Sequence, residues 1–128
     1  MSLKLIQTQS APAAMGPYSQ AVQVGSLLFI SGQIPIDLSR SGEIEKGDIK
    51  IQTKIVLENL KALLESQKLS LNNVVKTTIF LINMNDFVAV NEVYGSYFTV
   101  HKPARACVAV KELPKGVSIE IEAIASTN

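Results

Sequence analysis

Apolar and polar positions change rhythm several times along the chain, and each rhythm predicts an element. Ala21–Val24 and Leu27–Ser31 are short apolar runs split by Gly25-Ser26, a two-residue Gly-X turn, which predicts a β-hairpin. Ser31-Gly32-Gln33 ends the second run, and Gly32 allows the backbone to turn or another group to approach closely. Pro35 to Gly47, with Ser39-Arg40-Ser41-Gly42 inside it, reads as a loop. Asp48 is suited to cap a helix. After it Ile49, Thr53, Val56, Leu60 and Leu63/Leu64 recur at three- and four-residue steps, while Lys54, Glu58, Lys61 and Glu65 take the other side. This pattern predicts a helix to about Lys68 that covers a sheet and faces water.

Val74 to Ile82 is rich in β-branched residues and predicts a strand buried on both faces. Asn85 or Asp86 then caps a second helix, with Phe87, Val90, Tyr94, Tyr97 and Phe98 on its apolar face. Gly95 inside that helix costs about 1 kcal/mol relative to alanine and marks a candidate close contact. Two further strands, Arg105–Val110 and Val117–Ala125, are separated by the turn Leu113-Pro114-Lys115-Gly116. The order β-β-α-β-α-β-β fits an α+β domain with both helices on one face of a mixed sheet. The last strand places Val117, Ile119, Ile121, Ala123 and Ala125 on one face and Ser118, Glu120, Glu122 and Ile124 on the other. That second face is apolar enough to predict burial against further copies of the chain, a homo-oligomer.

Composition narrows the picture. With 128 residues one domain, 1–128, is expected. Apolar residues are 47% and charged ones 18%, which excludes a disordered chain, and no apolar run reaches bilayer-spanning length. The N-terminal residues carry no secretory signal and read as part of the mature fold, so a cytoplasmic protein is expected. Twelve basic against eleven acidic residues give a net charge of +1, with no basic stripe, which argues against nucleic acid as the main partner. One cysteine and one histidine make neither a disulfide nor a zinc site, and there is no glycine-rich phosphate loop; no cofactor and no metal are expected.

Few residues remain to carry chemistry. Arg105 and Cys107 are two apart on a strand and leave the same face. A guanidinium is a rigid fork that holds a carboxylate in two-point fashion, so Arg105 is a candidate anchor for a small acid; a plain surface arginine is the competing reading. Cys107 without a thiolate-stabilising partner reads as a small buried hydrophobe, since His101 is six residues away and nothing pairs them. Glu120 and Glu122 also share a face. They are either solvent-facing or set in a pocket where desolvation raises a carboxyl pKa toward the range of acid–base work. Tyr18, after Gly16-Pro17, can stack on or wall off a ligand.

Taken together, Gly16-Pro17-Tyr18-Ser19-Gln20-Ala21, Ile30-Ser31-Gly32-Gln33-Ile34-Pro35, Val75-Lys76-Thr77-Thr78, Pro103-Ala104-Arg105-Ala106-Cys107-Val108, Leu113-Pro114 and Ile119-Glu120-Ile121-Glu122-Ala123 form a series of blocks. The series resembles the reactive intermediate deaminase (Rid) family, also known as L-PSP endoribonucleases or translation inhibitors. The resemblance implies a chorismate-mutase-like α+β fold, with a mixed six-stranded sheet and two helices on one face, assembled as a homotrimer with intersubunit clefts. It implies hydrolysis of enamines and imines such as 2-aminoacrylate, 2-iminopropanoate and 2-iminobutanoate to 2-keto acids and ammonia. It assigns carboxylate binding to Arg105, water activation or proton transfer to Glu120, and the remaining pocket to Tyr18, Ser31, Gly32, Asn91 and Cys107. Relatives usually carry a longer loop before the Pro-Ala-Arg segment; here Phe98-Thr99-Val100-His101-Lys102 runs directly into Pro103, which implies a more open rim. An endoribonuclease and a non-catalytic binder of small acids are the alternatives.

Overall fold

The computed structural model describes residues 2–128; Met1, the first residue of the N-terminal segment read above, lies outside the described residues. The chain forms β1 (Leu3–Ile6), β2 (Ala21–Val24), β3 (Leu27–Gln33), β4 (Ile36–Asp37), β5 (Glu43–Ile44), α1 (Ile49–Ser66), β6 (Val74–Leu81), α2 (Phe87–Tyr97), β7 (Ala104–Ala109) and β8 (Ile119–Ser126). Six strands form a mixed sheet in the order β1-β2-β3-β8-β6-β7, and β4 and β5 pair separately. Only β6 and β7 run parallel, as the crossover through α2 requires. This is the α+β architecture expected of the sequence, with both helices on one face of the sheet.

The core explains why. Alternate residues of the central strands (Leu28, Ile30, Ile79, Leu81, Ile119 and Ile121) meet Val56, Leu57, Leu60, Leu64 and Val90 from the helices in one buried cluster. Asp48 caps α1, accepting hydrogen bonds from the Lys50 and Ile51 amides at 2.7 and 3.3 Å. The buried stripe of α1 is broader than the apolar pattern suggested, because Gln52 and Asn59 are buried as well. Gln52 Oε1 accepts from the Ser118 amide at 2.9 Å, and Asn59 Nδ2 donates to the Ile36 carbonyl at 2.9 Å. Both polar side chains thereby latch the helix to the segments that lead into β8 and β4.

Several expectations are corrected. β1 carried no recognisable signal: it has four residues, of which Ile6 alone is buried. The predicted loop 35–47 contains the β4–β5 hairpin, closed through left-handed Ser41 and Gly42 and tied by Arg40 to Asp37 and Glu45 at 2.9 and 2.8 Å. Hydrogen bonds from Ser39 and Arg40 hold the Asp37 carboxyl below its ordinary pKa. β6 is not buried on both faces within the chain: Thr77, Ile79 and Leu81 are buried, whereas Lys76, Thr78 and Phe80 are only half-buried, because helices cover one side alone. Asp86 precedes α2 without a side-chain cap; Asn83 instead accepts from the Asn85 amide in the short turn before it. Gly95 meets nothing within 4 Å and marks no close contact.

The face away from the helices is apolar over much of its area. Leu3 and Leu5 pair in register with Val24 and Val22, and Val22 pairs with Phe29, placing all five residues on that face. Leu3 and Leu5 are about two-thirds exposed and Phe29 is 42% exposed.

Candidate functional site

The residues singled out above gather into two groups rather than one. The first lies where β7 meets α2. Arg105, near the start of edge strand β7, donates from Nη1 to Asn91 Oδ1 at 2.9 Å. Its guanidinium carbon lies 5.0 Å from the Tyr94 ring centroid and 5.6 Å from that of Phe87. Phe87, Asn91 and Tyr94 are spaced four and three apart, so one face of α2 presents all three to the arginine. Cys107 leaves the same face of β7 and packs against the core. Burial pushes its thiol pKa up and the neighbouring Arg105 pulls it down; the net shift is upward, so the cysteine is poorly suited to act as a thiolate.

The second group lies on the opposite face of the sheet. Ile119 and Ile121 of β8 point into the helix-side core, so Glu120 and Glu122 point away from it. Between Ile30 and Gln33 the β3–β8 register slips by one residue, a bulge at Ser31-Gly32. The bulge turns Ser31 so that its amide donates to the Gln20 carbonyl at 3.0 Å and its hydroxyl to the Ser19 carbonyl at 2.6 Å. The Glu120 side chain occupies the space a Cβ on Gly32 would need. The close approach that a glycine at this position permits is therefore made by a carboxylate. Tyr18, Ser31, Gly32, Lys115, Glu120 and Glu122 line one cleft of about 550 Å³. Burial, and secondarily the negative charge of Glu122, raise the Glu120 pKa above its ordinary value.

The segment over this cleft is held by residues the sequence did not single out. Gln20 is buried; its side-chain Oε1 accepts from the Thr8 amide at 2.7 Å and its Nε2 donates to the Thr8 and Pro12 carbonyls at 3.0 and 2.8 Å. Tyr18 itself is 48% exposed, its hydroxyl accepting from the Met15 amide at 3.1 Å. Lys115 sits at φ 61°, followed by Gly116 at 72°, so the turn read simply as Leu-Pro-Lys-Gly is two consecutive left-handed residues. Phe87 and Tyr94 read as ordinary core positions; only their spacing around Asn91 signalled a shared surface.

Arg105 and Glu120 do not lie on neighbouring strands, because β6 stands between β7 and β8, and the two side chains leave opposite faces. Register confirms it: Arg105 pairs with buried Thr77, whose hydroxyl meets Tyr94 at 2.7 Å, whereas Glu120 pairs with Phe80 of the other alternation. Alternation along each strand was readable from sequence, but the strand order was not. Among the described residues no three His, Cys, Asp or Glu side chains group so as to hold a metal ion, and no helix is long and apolar enough to cross a membrane.

Comparison with known proteins adds a second line of observation. The family described as Endoribonuclease L-PSP matches residues 8–127. A RutC family protein of Pyrococcus horikoshii is 59% identical over 95% of this chain and 96% of its own length. A protein of Salmonella typhimurium named 2-iminobutanoate/2-iminopropanoate deaminase is 49% identical over 95% and 96% of the two chains. Among solved structures, Escherichia coli TdcF with bound serine superposes with a TM-score of 0.91 at 46% identity, covering 98% of this chain and 99% of that one.

Proposed function

Since the chain belongs to the Rid/L-PSP endoribonuclease family, we propose that it hydrolyses short 2-imino acids, and their enamine tautomers, to 2-keto acids and ammonia. Members of this family bear deaminase names, so a hydrolytic activity is the family-level statement; the substrate and the residue roles are the proposal. The observation that carries it is the division of the site: a braced guanidinium without a carboxylate partner on one face, and a half-buried carboxyl of raised pKa in a cleft on the other.

Such halves complete each other only between copies. In this reading the apolar sheet face packs against neighbouring chains in a homotrimer, and each crevice joins Asn91, Arg105 and Cys107 of one chain to Tyr18, Ser31, Gly32 and Glu120 of the next. Arg105 binds the substrate carboxylate in two-point fashion and fixes the imine carbon. Glu120 takes a proton from a water as its oxygen bonds to C2 and returns it to nitrogen, giving a carbinolamine. The hydroxyl proton then passes through Glu120 to the amino nitrogen, the C–N bond breaks, and ammonia leaves as the carbonyl forms. A carboxyl with a raised pKa suits both transfers, because it holds and releases its proton nearer neutrality. The step consumes one water and needs no oxidant.

The test is a coupled assay in which a pyridoxal-phosphate dehydratase generates the imine and keto-acid release is followed with and without this protein. Accelerated release that disappears with Glu120→Gln is expected. Release at the uncatalysed rate, with 2-oxobutanoate still bound, makes the protein a small-acid binder instead.

A further inference from the structure

Resting on that reading, we infer that Tyr94, with Phe87 beside it, is a positioning residue for the anchoring arginine. The two rings form a platform on which the Arg105 guanidinium lies. Arg105 is exposed in the chain, yet it forms no ion pair; among the described residues the salt bridges involve only Arg40 and Lys50. What holds it is one hydrogen bond to Asn91 and two aromatic faces at 5.0 and 5.6 Å, within the range of cation–π attraction. A long side chain that would otherwise sample many rotamers is thereby confined while its carboxylate-binding edge stays unspent. An acidic partner would confine it as well, but would occupy the fork that the substrate needs.

The platform is itself fixed. Tyr94 is 6% exposed, its ring lies 4.6 Å from buried Phe98, and its hydroxyl is paired with Thr77, which is fully buried. Thr77 is also the residue of β6 in register with Arg105. The strand that pairs with the arginine's own and the helix carrying its support are thus tied through one buried hydroxyl pair. Burial raises the tyrosine pKa, so the ring stays neutral across the working range.

The experiment measures affinity for 2-oxobutanoate by titration calorimetry in the assembled protein, with thermal unfolding read alongside. Tyr94→Leu removes the face, Tyr94→Phe keeps it, and both are made in the parental and the Arg105→Lys chains. Lysine has no flat surface to lie on a ring. Tyr94→Leu is expected to raise Kd roughly 5- to 30-fold in the parental chain, the span a partly desolvated cation–π contact covers. In the Arg105→Lys chain the same change should move Kd less than about two-fold, and Tyr94→Phe should bind like the parent despite a lower Tm. Equal weakening in both backgrounds, or Tyr94→Phe as damaging as Tyr94→Leu, overturns the assignment. Should Tyr94→Leu not fold, Phe87→Leu, at a less buried position, carries the same comparison. Parental affinity in Arg105→Lys alone overturns the anchor and this inference together, whereas a damaged Arg105→Lys with an unaffected Tyr94→Leu removes only the platform.

Discussion

The Glu120 carboxylate sits in the space left by the missing side chain of Gly32. The two residues lie on neighbouring strands β8 and β3, at the bulge where the register slips, so glycine here shapes a pocket rather than a turn. Gly32→Ala should therefore displace the carboxylate while leaving the fold intact, because the obstructing atoms end a flexible side chain. A loss of roughly 10²- to 10⁴-fold in turnover, the usual worth of positioned proton transfer, is expected with little change in Tm. Unaltered turnover would show that Glu120 does not act from this pocket.

Arg105→Lys replaces a fork by a point charge. Loss of the two-point contact should cost about 2–5 kcal/mol, or roughly 30- to several-thousand-fold in kcat/KM. Steady-state kinetics on 2-iminopropanoate check this.

Glu120 also leaves a mark on stability. Its pKa is raised on folding, so the folded state favours the protonated carboxyl. The stability linked to this group is fully present below the unfolded pKa near 4.5 and is lost as pH rises through the folded value. Glu120→Gln should consequently unfold at a higher temperature than the parent at pH 7, with the gap closing toward pH 4. A parent more stable than the variant at pH 7 reverses the sign and removes the burial argument.

Separation of the two groups makes complementation possible. Arg105→Lys and Glu120→Gln chains, each impaired alone, should regain activity when unfolded together and refolded as a mixture, since some of the proposed crevices then pair an intact arginine with an intact glutamate. Pure populations of either variant, refolded alone, serve as controls.

Gln20→Leu deletes the hub that ties residues 8–12 to β2. Leaving the Thr8 amide and the Thr8 and Pro12 carbonyls without these partners should cost about 1–3 kcal/mol, measurable as a lower denaturant midpoint.

How far these features could be read beforehand depended on what each residue's signal was. The α1 stripe, the β2–β3 hairpin and the alternation of β8 follow from burial of apolar side chains at a fixed period, and they fold as their pattern implies. Gln52, Asn59 and Gln20 are buried for their hydrogen bonds, and a polarity pattern assigns such residues to water. β1 and the β4–β5 hairpin are too short for a period to show. Arg105 and Glu120 were each conspicuous, as a fork starting a small-residue strand and a charge within an apolar one. Their mutual placement depends on β6 entering between β7 and β8, a long-range pairing that no local spacing encodes.

In the proposed assembly, that placement ties chemistry to stoichiometry. A solitary molecule carries Arg105 and Glu120 back to back, so if the proposed crevices are the site, dilution below the association threshold should silence turnover before any chain unfolds. Genetic doubling or tandem fusion would then rescue catalysis at concentrations where free chains fail.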